Sequence, residues 1–557
     1  MTTTTTTTAT APTKQELQTF LASKLNRNLQ MYFDSCQRCG LCAEACQYYV
    51  ATRDPKMIPA YKAEQVRRLY RQPSEWSQRL FPWFVHDGAL DEARLDALAD
   101  VVFGSCTMCR RCTIACPFGI DTAAIMRAAR GMLTLAKKSP TGLQDTVDTH
   151  VASRNNMAIA SDEFVETVQW VEEDLQKQVD DPAAKIDIDR AGAKNLWVVN
   201  PREVKFYPNL MLAQAKILYA AGEDITFGSR FWDVTNYALF NGDDNAARTI
   251  AGFVLAEADR LGISSIICTE CGHGFRQLRY LAPLWLKRTD FQVRPFVEVV
   301  ARYIQDGRIK LDPSLNKERV TYHDPCNQAR SGNYIEEPRI ILRRAVSDFV
   351  ELTPHGRDNW CCGGGGGALT MSEYRERRLA VAKVKAEQIR ATGAKIVATS
   401  CHNCIDQISE LSRHYKLGVR VVNLCELIAN ALVITPKHRP ADTSIAEAAV
   451  EVDENGFIKD PDEWTPEVAR FLARRQGFGQ ALDELTGEHW RVIDYIRSCY
   501  QSAGIAPTRA DVCAGLGITR KQFYELFPGT LRTALRVCGL PSPKEGAGTH
   551  QEEAAEP

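Results

Sequence analysis

Two runs of four cysteines with identical spacing are the residues of this sequence best suited to chemistry. Both have the pattern C-x2-C-x2-C-x3-C, which is how a chain wraps a cubane 4Fe–4S cluster. In two-cluster ferredoxins the fourth cysteine of each run binds the other cluster, so Cys116 is expected in the first cube and Cys46 in the second. Structural zinc and disulfides are the competing interpretations, but zinc prefers paired cysteines and disulfides need an oxidising compartment. The runs are Cys36, Cys39, Cys42 and Cys46, and Cys106, Cys109, Cys112 and Cys116.

A second set of five cysteines lies later in the chain. Two of them are adjacent, which fits a single cubane poorly but suits an opened cluster in which one sulfur bridges two irons. The glycine run that begins at Gly363 and Gly364 would let the backbone approach such a cluster closely, because glycine has no Cβ. A phosphate loop is excluded, since no Gly-Lys-Ser/Thr follows the run; ordinary buried thiols stay an alternative. The five are Cys326, Cys361, Cys362, Cys401 and Cys404.

The composition is that of a soluble globular protein of several domains. The chain has 557 residues, 45% hydrophobic and 25% charged, and its net charge of −1 argues against a nucleic-acid binder. Nineteen cysteines in so long a chain indicate metal sites rather than a disulfide scaffold. No apolar stretch is long enough for a transmembrane segment, and the threonine-rich start lacks the features of an export signal. A cytoplasmic protein is therefore expected, with peripheral docking on the inner face of the cytoplasmic membrane left open.

Hydrophobic periodicity and linker composition predict a multidomain α plus α/β protein. Its three folded parts are a helical ferredoxin-like domain with two cubanes, a duplicated α/β domain and a helix-rich C-terminal domain. The segments are a disordered tail (1–13), the ferredoxin-like domain (14–135), a helical linker (136–190), the duplicated domain (191–435), a linker (436–450), the C-terminal domain (451–541) and a disordered acidic tail (542–557).

Three pairs of loops indicate the duplication. Since parallel strands place their sites at the carboxyl ends, these loops are expected to converge within each repeat. The first repeat keeps only two of the five cysteines, so a second opened cluster is not expected there. The matching pairs are Asn200-Pro201-Arg202 with Asp324-Pro325-Cys326, Phe240-Asn241-Gly242 with Cys361-Cys362-Gly363, and Cys268-x2-Cys271 with Cys401-x2-Cys404.

The five-cysteine pattern, with its Cys-Cys-Gly sequence, resembles the cysteine-rich CCG domain of the heterodisulfide reductase family. The insert between the cubane runs and the Glu270-Cys271-Gly272-His273 sequence are most similar to the DsrK type, over about residues 20–435. The resemblance implies that all five cysteines are catalytic and bind a non-cubane 4Fe–4S cluster. Cys268 and Cys271 of the first repeat are the candidates to line that cluster, and Cys271 is the stronger of the two. His273 is either a proton donor there or a hydrogen-bonded loop histidine, and His323 and His402 carry the same two alternatives.

Residues 451–541 resemble the DsrC/TusE sulfur-relay family, whose members carry sulfur on cysteines of a C-terminal arm. The two arm positions fall on Leu535 and near Gly546 here, which leaves Cys538 either as a replacement carrier or as a buried thiol. A helix-turn-helix pattern in this segment has too few basic residues for DNA recognition. The motifs that carry the resemblance are residues 453–457, 461–464, 485–490, 527–528 and 539–541.

Together the resemblances imply an iron–sulfur oxidoreductase subunit of the DsrK type in dissimilatory sulfur metabolism. It would move electrons between a DsrM-like membrane b-type cytochrome and a disulfide or trisulfide of a DsrC-type carrier protein. No flavin or nicotinamide is expected, because no Gly-x-Gly-x-x-Gly follows a strand. Two alternatives stay open: an electron-transfer subunit of a glycolate, lactate or glycerol-3-phosphate oxidase, and a non-enzymatic redox sensor or scaffold.

Overall fold

A computed structural model describes residues 12–70, 91–269, 272–434, 452–453, 455–476, 485–527 and 531–541. They form two compact units, one of residues up to 171 together with 186–434, and one of residues 172–185 together with those after 434. The linker predicted at 436–450, the acidic tail and nearly all of the N-terminal tail lie outside the described residues. Thr13, assigned to that tail, instead caps the first helix in a capping box with Glu16. No helix in the described ranges is long and apolar enough to cross a bilayer.

The two cubane runs lie in loops and short helical turns held by a helical core. Buried apolar side chains such as Val66, Val102, Phe103 and Met126 pack the helices together. A π-helical turn, Asp100–Gly104, leads into the second run. The helices of this part are Lys14–Lys24, Arg27–Ser35, Gln47–Thr52, Pro59–Tyr70, Glu92–Ala99, Arg111–Ile114 and Thr122–Leu135.

Two further helices, Thr141–Ser153 and Ser161–Val179, occupy the segment expected to be a linker. Leu143 of the first helix joins the buried core beneath the cubane runs. Phe164 of the second stacks on Trp232 with ring centroids 4.4 Å apart. The beginning of this segment is therefore packed into the first unit and is more than a connection.

The α/β part consists of two four-stranded sheets with the same strand order. In both sheets every pairing is parallel, as the βαβ pattern predicts, and the shared topology agrees with an internal duplication. The strands are mostly buried, as parallel strands covered by helices are. The orders are β2-β1-β3-β4 and β6-β5-β7-β8, with β1 Asn195–Val198, β2 Ile225–Thr226, β3 Ser265–Cys268, β4 Gln292–Pro295, β5 Val320–Tyr322, β6 Phe349–Val350, β7 Ile396–Thr399 and β8 Arg420–Asn423.

Local signals set the ends of the covering helices. Asn200 and Asn423 cap the helices that follow β1 and β8, and glycines in the left-handed conformation, such as Gly222 and Gly262, end others. The helices of the first repeat are Pro201–Phe206, Pro208–Ala221, Ala238–Asn241, Asp244–Leu261, Gly272–Arg276, Ala282–Leu286 and Phe296–Gln305. Those of the second are Cys326–Gly332, Glu336–Ala345, Arg375–Val381, Lys383–Thr392, His402–His414 and Leu424–Ala431.

The second unit is helical around its own core, as predicted for the C-terminal domain. Phe457, Ile493, Ile496 and Phe523 are among the buried side chains that the helices share. The helices are Pro466–Arg475, Gly487–Ala503, Arg509–Leu516, Arg520–Leu526 and Leu531–Val537.

Arg130, fully buried in the Thr122–Leu135 helix, joins four segments of the first unit. Its guanidinium has no carboxylate partner among the described residues, and burial lowers the pKa of Arg130 to about 10. Carbonyl dipoles therefore stabilise the positive charge of Arg130. They come from the segment of the second cubane run and from the glycine run of the CCG part, among others. The guanidinium donates to the carbonyl oxygens of Val102, Cys106, Phe240 and Gly366 at 2.8, 2.6, 2.9 and 2.7 Å.

Replacing Arg130 by methionine should destabilise the protein by at least about 3 kcal/mol, because four buried carbonyl oxygens lose their donor together. The apparent unfolding midpoint of the anaerobically purified protein measures this. Arg68→Met is the control, since Arg68 is exposed and its ion pair with Glu64 should contribute less than about 1 kcal/mol. Equal midpoints for the two variants would contradict the role given to Arg130.

Candidate metal centre

One cavity is lined by all four cysteines predicted to hold the second cubane. Cys46 of the first run reaches it together with Cys106, Cys109 and Cys112 of the second run. Burial raises the pKa of the Cys112 thiol well above its usual range, and the charges of Cys109, Cys46 and Cys106 raise it further. The structure therefore brings the fourth cysteine of one run to the first three of the other.

Three of the remaining four cysteines form a second group. Burial raises the pKa of the Cys42 thiol, and the neighbouring Cys36 and Cys116 add to that rise. Cys39, the fourth cysteine predicted for this cluster, is exposed. Cys116, from the second run, thus lies beside the first run, so the reciprocal exchange expected from the spacing is present in the arrangement of the thiols.

Buried cations surround the cavity of the inner group. Lys62 is buried, donates from Nζ to the Ser105 carbonyl oxygen and lies 3.9 Å from the sulfur of Cys46. Arg330 donates from Nε to the carbonyl oxygen of Cys109 at 2.6 Å. A buried cation is costly without negative charge nearby, and thiolate ligands supply such charge. The donor set and its surroundings therefore fit an anionic iron–sulfur cluster.

The five later cysteines are brought together in the second repeat, beyond the carboxyl ends of β5 and β7. Cys362 Sγ lies 3.4 Å from Cys404 Sγ. Further side-chain hydrogen bonds join Cys361 to Cys326 and to Cys362, and Cys404 to Cys401. Hydrogen bonds from Cys361 and Cys404 hold the pKa of Cys362 well below its usual range. The surroundings of this thiol therefore favour the thiolate, the form in which cysteine binds a metal.

The inner cubane group and the five-cysteine set lie beside each other. Cys109, Cys361 and Trp360 line the same cavity, and the side chains of Cys109 and Cys361 affect each other's pKa. Cys361 Sγ also lies 3.5 Å from Thr107 Oγ1. The two sets of cysteines therefore meet at this cavity.

Three family models match the chain in the parts just described. A 4Fe-4S dicluster domain matches residues 32–120, a cysteine-rich CCG domain matches residues 320–409, and a DsrC like protein model matches residues 444–546.

Curated relatives extend the match over most of the chain. The Hdr-like menaquinol oxidoreductase iron-sulfur subunit 2 of Archaeoglobus fulgidus is 28% identical over 454 residues, 74% of this chain and 81% of the relative. One subunit of the dihydromethanophenazine:CoB–CoM heterodisulfide reductase of Methanosarcina mazei is 26% identical over 418 residues, 73% of this chain and 96% of the relative. Over about three quarters of its length the chain is therefore similar to heterodisulfide reductase-like iron–sulfur subunits.

A third relative matches the C-terminal part. The dissimilatory-type sulfite reductase subunit gamma of Nitratidesulfovibrio vulgaris is 32% identical over 104 residues, 18% of this chain and 95% of the relative. The chain therefore carries a DsrC-like domain after the part that matches the iron–sulfur models.

Gly363 and Gly364 meet the CCG cysteines through their backbone amides. Each amide donates to a cysteine sulfur two residues earlier, Cys361 and Cys362 respectively, at 3.4 Å. Gly363 has φ of +101°, and a Cβ at Gly364 would lie 2.8 Å from Cβ of Gln407. Both positions require glycine if the backbone is to donate to these sulfurs.

The first repeat supports the CCG site of the second. Arg202, which stands where the repeat pattern has Cys326, forms an ion pair with Asp406. Tyr207 donates to the same carboxylate at 2.9 Å. Glu203 Oε1 lies 3.3 Å from Nε2 of His402, so residues of the degenerate loop hold the helix that follows Cys401.

His273 is enclosed beside this site between aromatic rings. Its ring centroid lies 5.2 Å from that of Tyr237 and 5.1 Å from that of Phe240. Burial lowers the pKa of His273 to about 3, so the imidazole is neutral at physiological pH. This surrounding favours the loop-histidine alternative over a proton donor. Cys271, expected to line the cluster, lies outside the described residues.

Cys538 of the DsrC-like domain is fully buried. Its Sγ–H points to the carbonyl oxygen of Ile493 at 3.9 Å, and burial raises the pKa of its thiol. Leu535, at the inner arm position, is 3% exposed, and residue 546, the outer position, lies outside the described residues. These observations favour the buried thiol over the replacement carrier.

Cys538 should resist alkylation by iodoacetamide in the folded protein, because a thiol with a raised pKa offers little thiolate. Mass spectrometry of protein labelled before and after denaturation measures this, with the half-buried Cys499 and Cys513 as internal references. If Cys538 in the folded protein is labelled as fast as Cys499 and Cys513, the buried-thiol interpretation is wrong and the carrier role is favoured.

Proposed function

We propose that this protein is the iron–sulfur subunit of a membrane-associated complex that couples quinol chemistry to sulfur–sulfur bond chemistry. A menaquinol releases two electrons and two protons on becoming menaquinone, and a disulfide takes up the same number to become two thiols. The exchange therefore balances in either direction without another reactant. The observation that carries this proposal is that Cys361 of the CCG set and Cys109 of the inner cubane group line the same cavity.

Each cysteine group would hold one 4Fe–4S cluster. When bound, the two cubanes supply one-electron transfer, and the non-cubane cluster supplies cleavage or formation of a sulfur–sulfur bond. The outer cubane ligands would be Cys36, Cys39, Cys42 and Cys116, the inner ones Cys46, Cys106, Cys109 and Cys112, and the non-cubane ones Cys326, Cys361, Cys362, Cys401 and Cys404.

The protein's own contribution at the CCG site is shielding and charge. Cys361, Cys362, Cys401 and Cys404 are buried, whereas Cys326 is partly exposed. A sulfur substrate would accordingly approach beside Cys326. The other four thiols are shielded from water. Electrostatic interactions between these thiols and nearby cations are stronger in the protein interior than in water.

The relatives suggest the partners. The name of the Archaeoglobus protein specifies menaquinol and that of the Methanosarcina protein a heterodisulfide. For this chain we infer a DsrM-like b-type cytochrome at the inner face of the cytoplasmic membrane and a DsrC-type carrier as the sulfur substrate. The fused DsrC-like domain, with Cys538 buried, would act in partner recognition rather than as a carrier.

Replacing Cys404 by serine should remove the disulfide activity and leave electron uptake intact. With reduced methyl viologen as donor, turnover of a DsrC-type carrier disulfide should fall to background. Iron should drop by about four per chain from about twelve, and the reduced-cubane EPR signals should persist.

Cys425→Ser is the matched control, because Cys425 is a buried thiol of the same repeat outside the CCG set. Its turnover and iron content should equal those of the wild type. If the wild type reduces no disulfide while its cubanes accept electrons, the electron-transfer subunit of a flavin-dependent oxidase becomes the better account.

A further inference from the structure

His323, which follows β5, is buried against the CCG thiols and has a role left open by its sequence. A nitrogen of His323 and the sulfurs of Cys362 and Cys404 all lie within 4.8 Å of one another. At this position His323 could either bind a metal itself or donate a hydrogen bond to a cysteine that does. The choice between these roles rests on the cluster proposed for this site.

The orientation of the Asn359 side chain decides between these roles. Its Nδ2 lies 3.2 Å from the backbone carbonyl oxygen of Asp324, which only accepts. Its Oδ1 accepts from Nζ of Lys385 at 2.6 Å. The Asp324 carbonyl requires the amide nitrogen on its side, and the Lys385 ammonium requires the amide oxygen on the other. Two independent contacts therefore assign the nitrogen and oxygen of the Asn359 side chain.

Lys385 is itself held by a further pair of contacts. It is fully buried, and its Nζ donates to Oε1 of Gln388. Gln388 in turn donates from Nε2 to the carbonyl oxygen of Pro354, so its oxygen must face the lysine. Burial lowers the pKa of Lys385 to about 7, whereas Cys362 and Asp324 act to keep it charged.

The tautomer of His323 follows from the amide. Asn359 Nδ2 lies 3.2 Å from His323 Nδ1, so Nδ1 has to accept and carries no proton. The proton of a neutral imidazole is then on Nε2. A metal-bound histidine normally donates its other ring N–H to an acceptor, and here the partner of Nδ1 is a donor instead.

We propose that Asn359 holds His323 in the tautomer whose Nε2–H donates to the Cys362 sulfur, so that the histidine is a donor and not a metal ligand. Lys385 is a positioning residue, since it fixes Asn359 from the far side. Hydrogen bonds to ligand sulfurs are among the factors that set cluster potentials. This bond, and the positive charge behind it, stabilise the added negative charge of the reduced site.

The first test is pulsed EPR and redox titration of the anaerobically purified full-length protein. In the wild type, the third-site signal should show an exchangeable-proton coupling that disappears in D2O, without the strong nitrogen coupling of a bound imidazole. His323→Leu should keep the full iron content, lose that proton coupling and shift the midpoint potential downward. Loss of iron, or a strong nitrogen coupling that vanishes in the variant, would overturn the inference.

Two further variants test the residues that position the histidine. Asn359→Asp keeps the shape but accepts from His323, so Nδ1 should become protonated, which ¹⁵N-histidine NMR measures. Lys385→Met should lower the midpoint potential. Lys383→Met is the control on the same helix, because Lys383 is 61% exposed and pairs with Glu387, and it should leave the potential unchanged. An unprotonated Nδ1 in Asn359→Asp, or equal potentials for the two lysine variants, would contradict the positioning.

Failure of the proposed function is recognisable separately. A wild type with cubane signals but no third signal would show that the CCG cysteines hold no cluster. The tautomer is then read by NMR of ¹⁵N-histidine-labelled protein, with His323→Gln to assign the resonance. A protonated Nδ1 would overturn the inference, and a protonated Nε2 would uphold it.

Discussion

Buried positive charge around the cysteine sites is the constraint on which the first unit depends. Lys62, Arg130, Arg330 and Lys385 are all buried. None of them forms an ion pair with a carboxylate among the residues that the structure describes, although the charge of Asp324 acts on Arg330 and Lys385. Their hydrogen bonds go to carbonyl and amide oxygens, and Lys62 also donates to the sulfur of Cys46. Cations in such surroundings are costly unless negative charge lies close by. Thiolate ligands of iron–sulfur clusters supply that charge, so the cysteines and the cations stabilise each other only as a set.

The same cations hold the architecture together. Arg130 connects the second cubane run with both repeats through carbonyl oxygens at Cys106, Phe240 and Gly366. Arg330 connects the carbonyl oxygens of Cys109 and Asn359. Each cation therefore fixes the backbone that presents cysteines while also placing charge beside them. The cavity that Cys109 and Cys361 share is a consequence of this arrangement.

The two repeats share a topology but have different roles: the second carries the CCG cysteines and the first supports them. The second repeat keeps its cysteines at the carboxyl ends of its strands, where open parallel sheets place their sites. In the first repeat Arg202 and Glu203 occupy the equivalent loop and bind the Asp406 and His402 side chains of the second. The loop of the first repeat, which has no cysteine at this position, therefore supports the cysteine-bearing loop of the second repeat.

The sequence predicted those parts that depend on local spacing. The cysteine runs predicted the exchange of Cys46 and Cys116, and matching loops predicted two sheets of one topology. The buried cations could not be predicted from the sequence. The role of Lys385, for example, depends on its contacts with Asn359 and through it with His323, which are distant in the chain. Residues 136–190 were predicted to be helical and to link or cover the domains, but their polar pattern did not reveal that Leu143 and Phe164 are buried.

Three anionic clusters would balance the buried cations. The decisive measurement is the iron and acid-labile sulfide content of anaerobically purified protein, together with EPR of reduced and oxidised samples. We expect about twelve irons per chain, from four in each cluster, and an oxidised-state signal that a carrier disulfide or thiol perturbs. About eight irons, with reduced-cubane signals alone, would contradict this expectation and leave Lys385 buried beside an ordinary set of thiols.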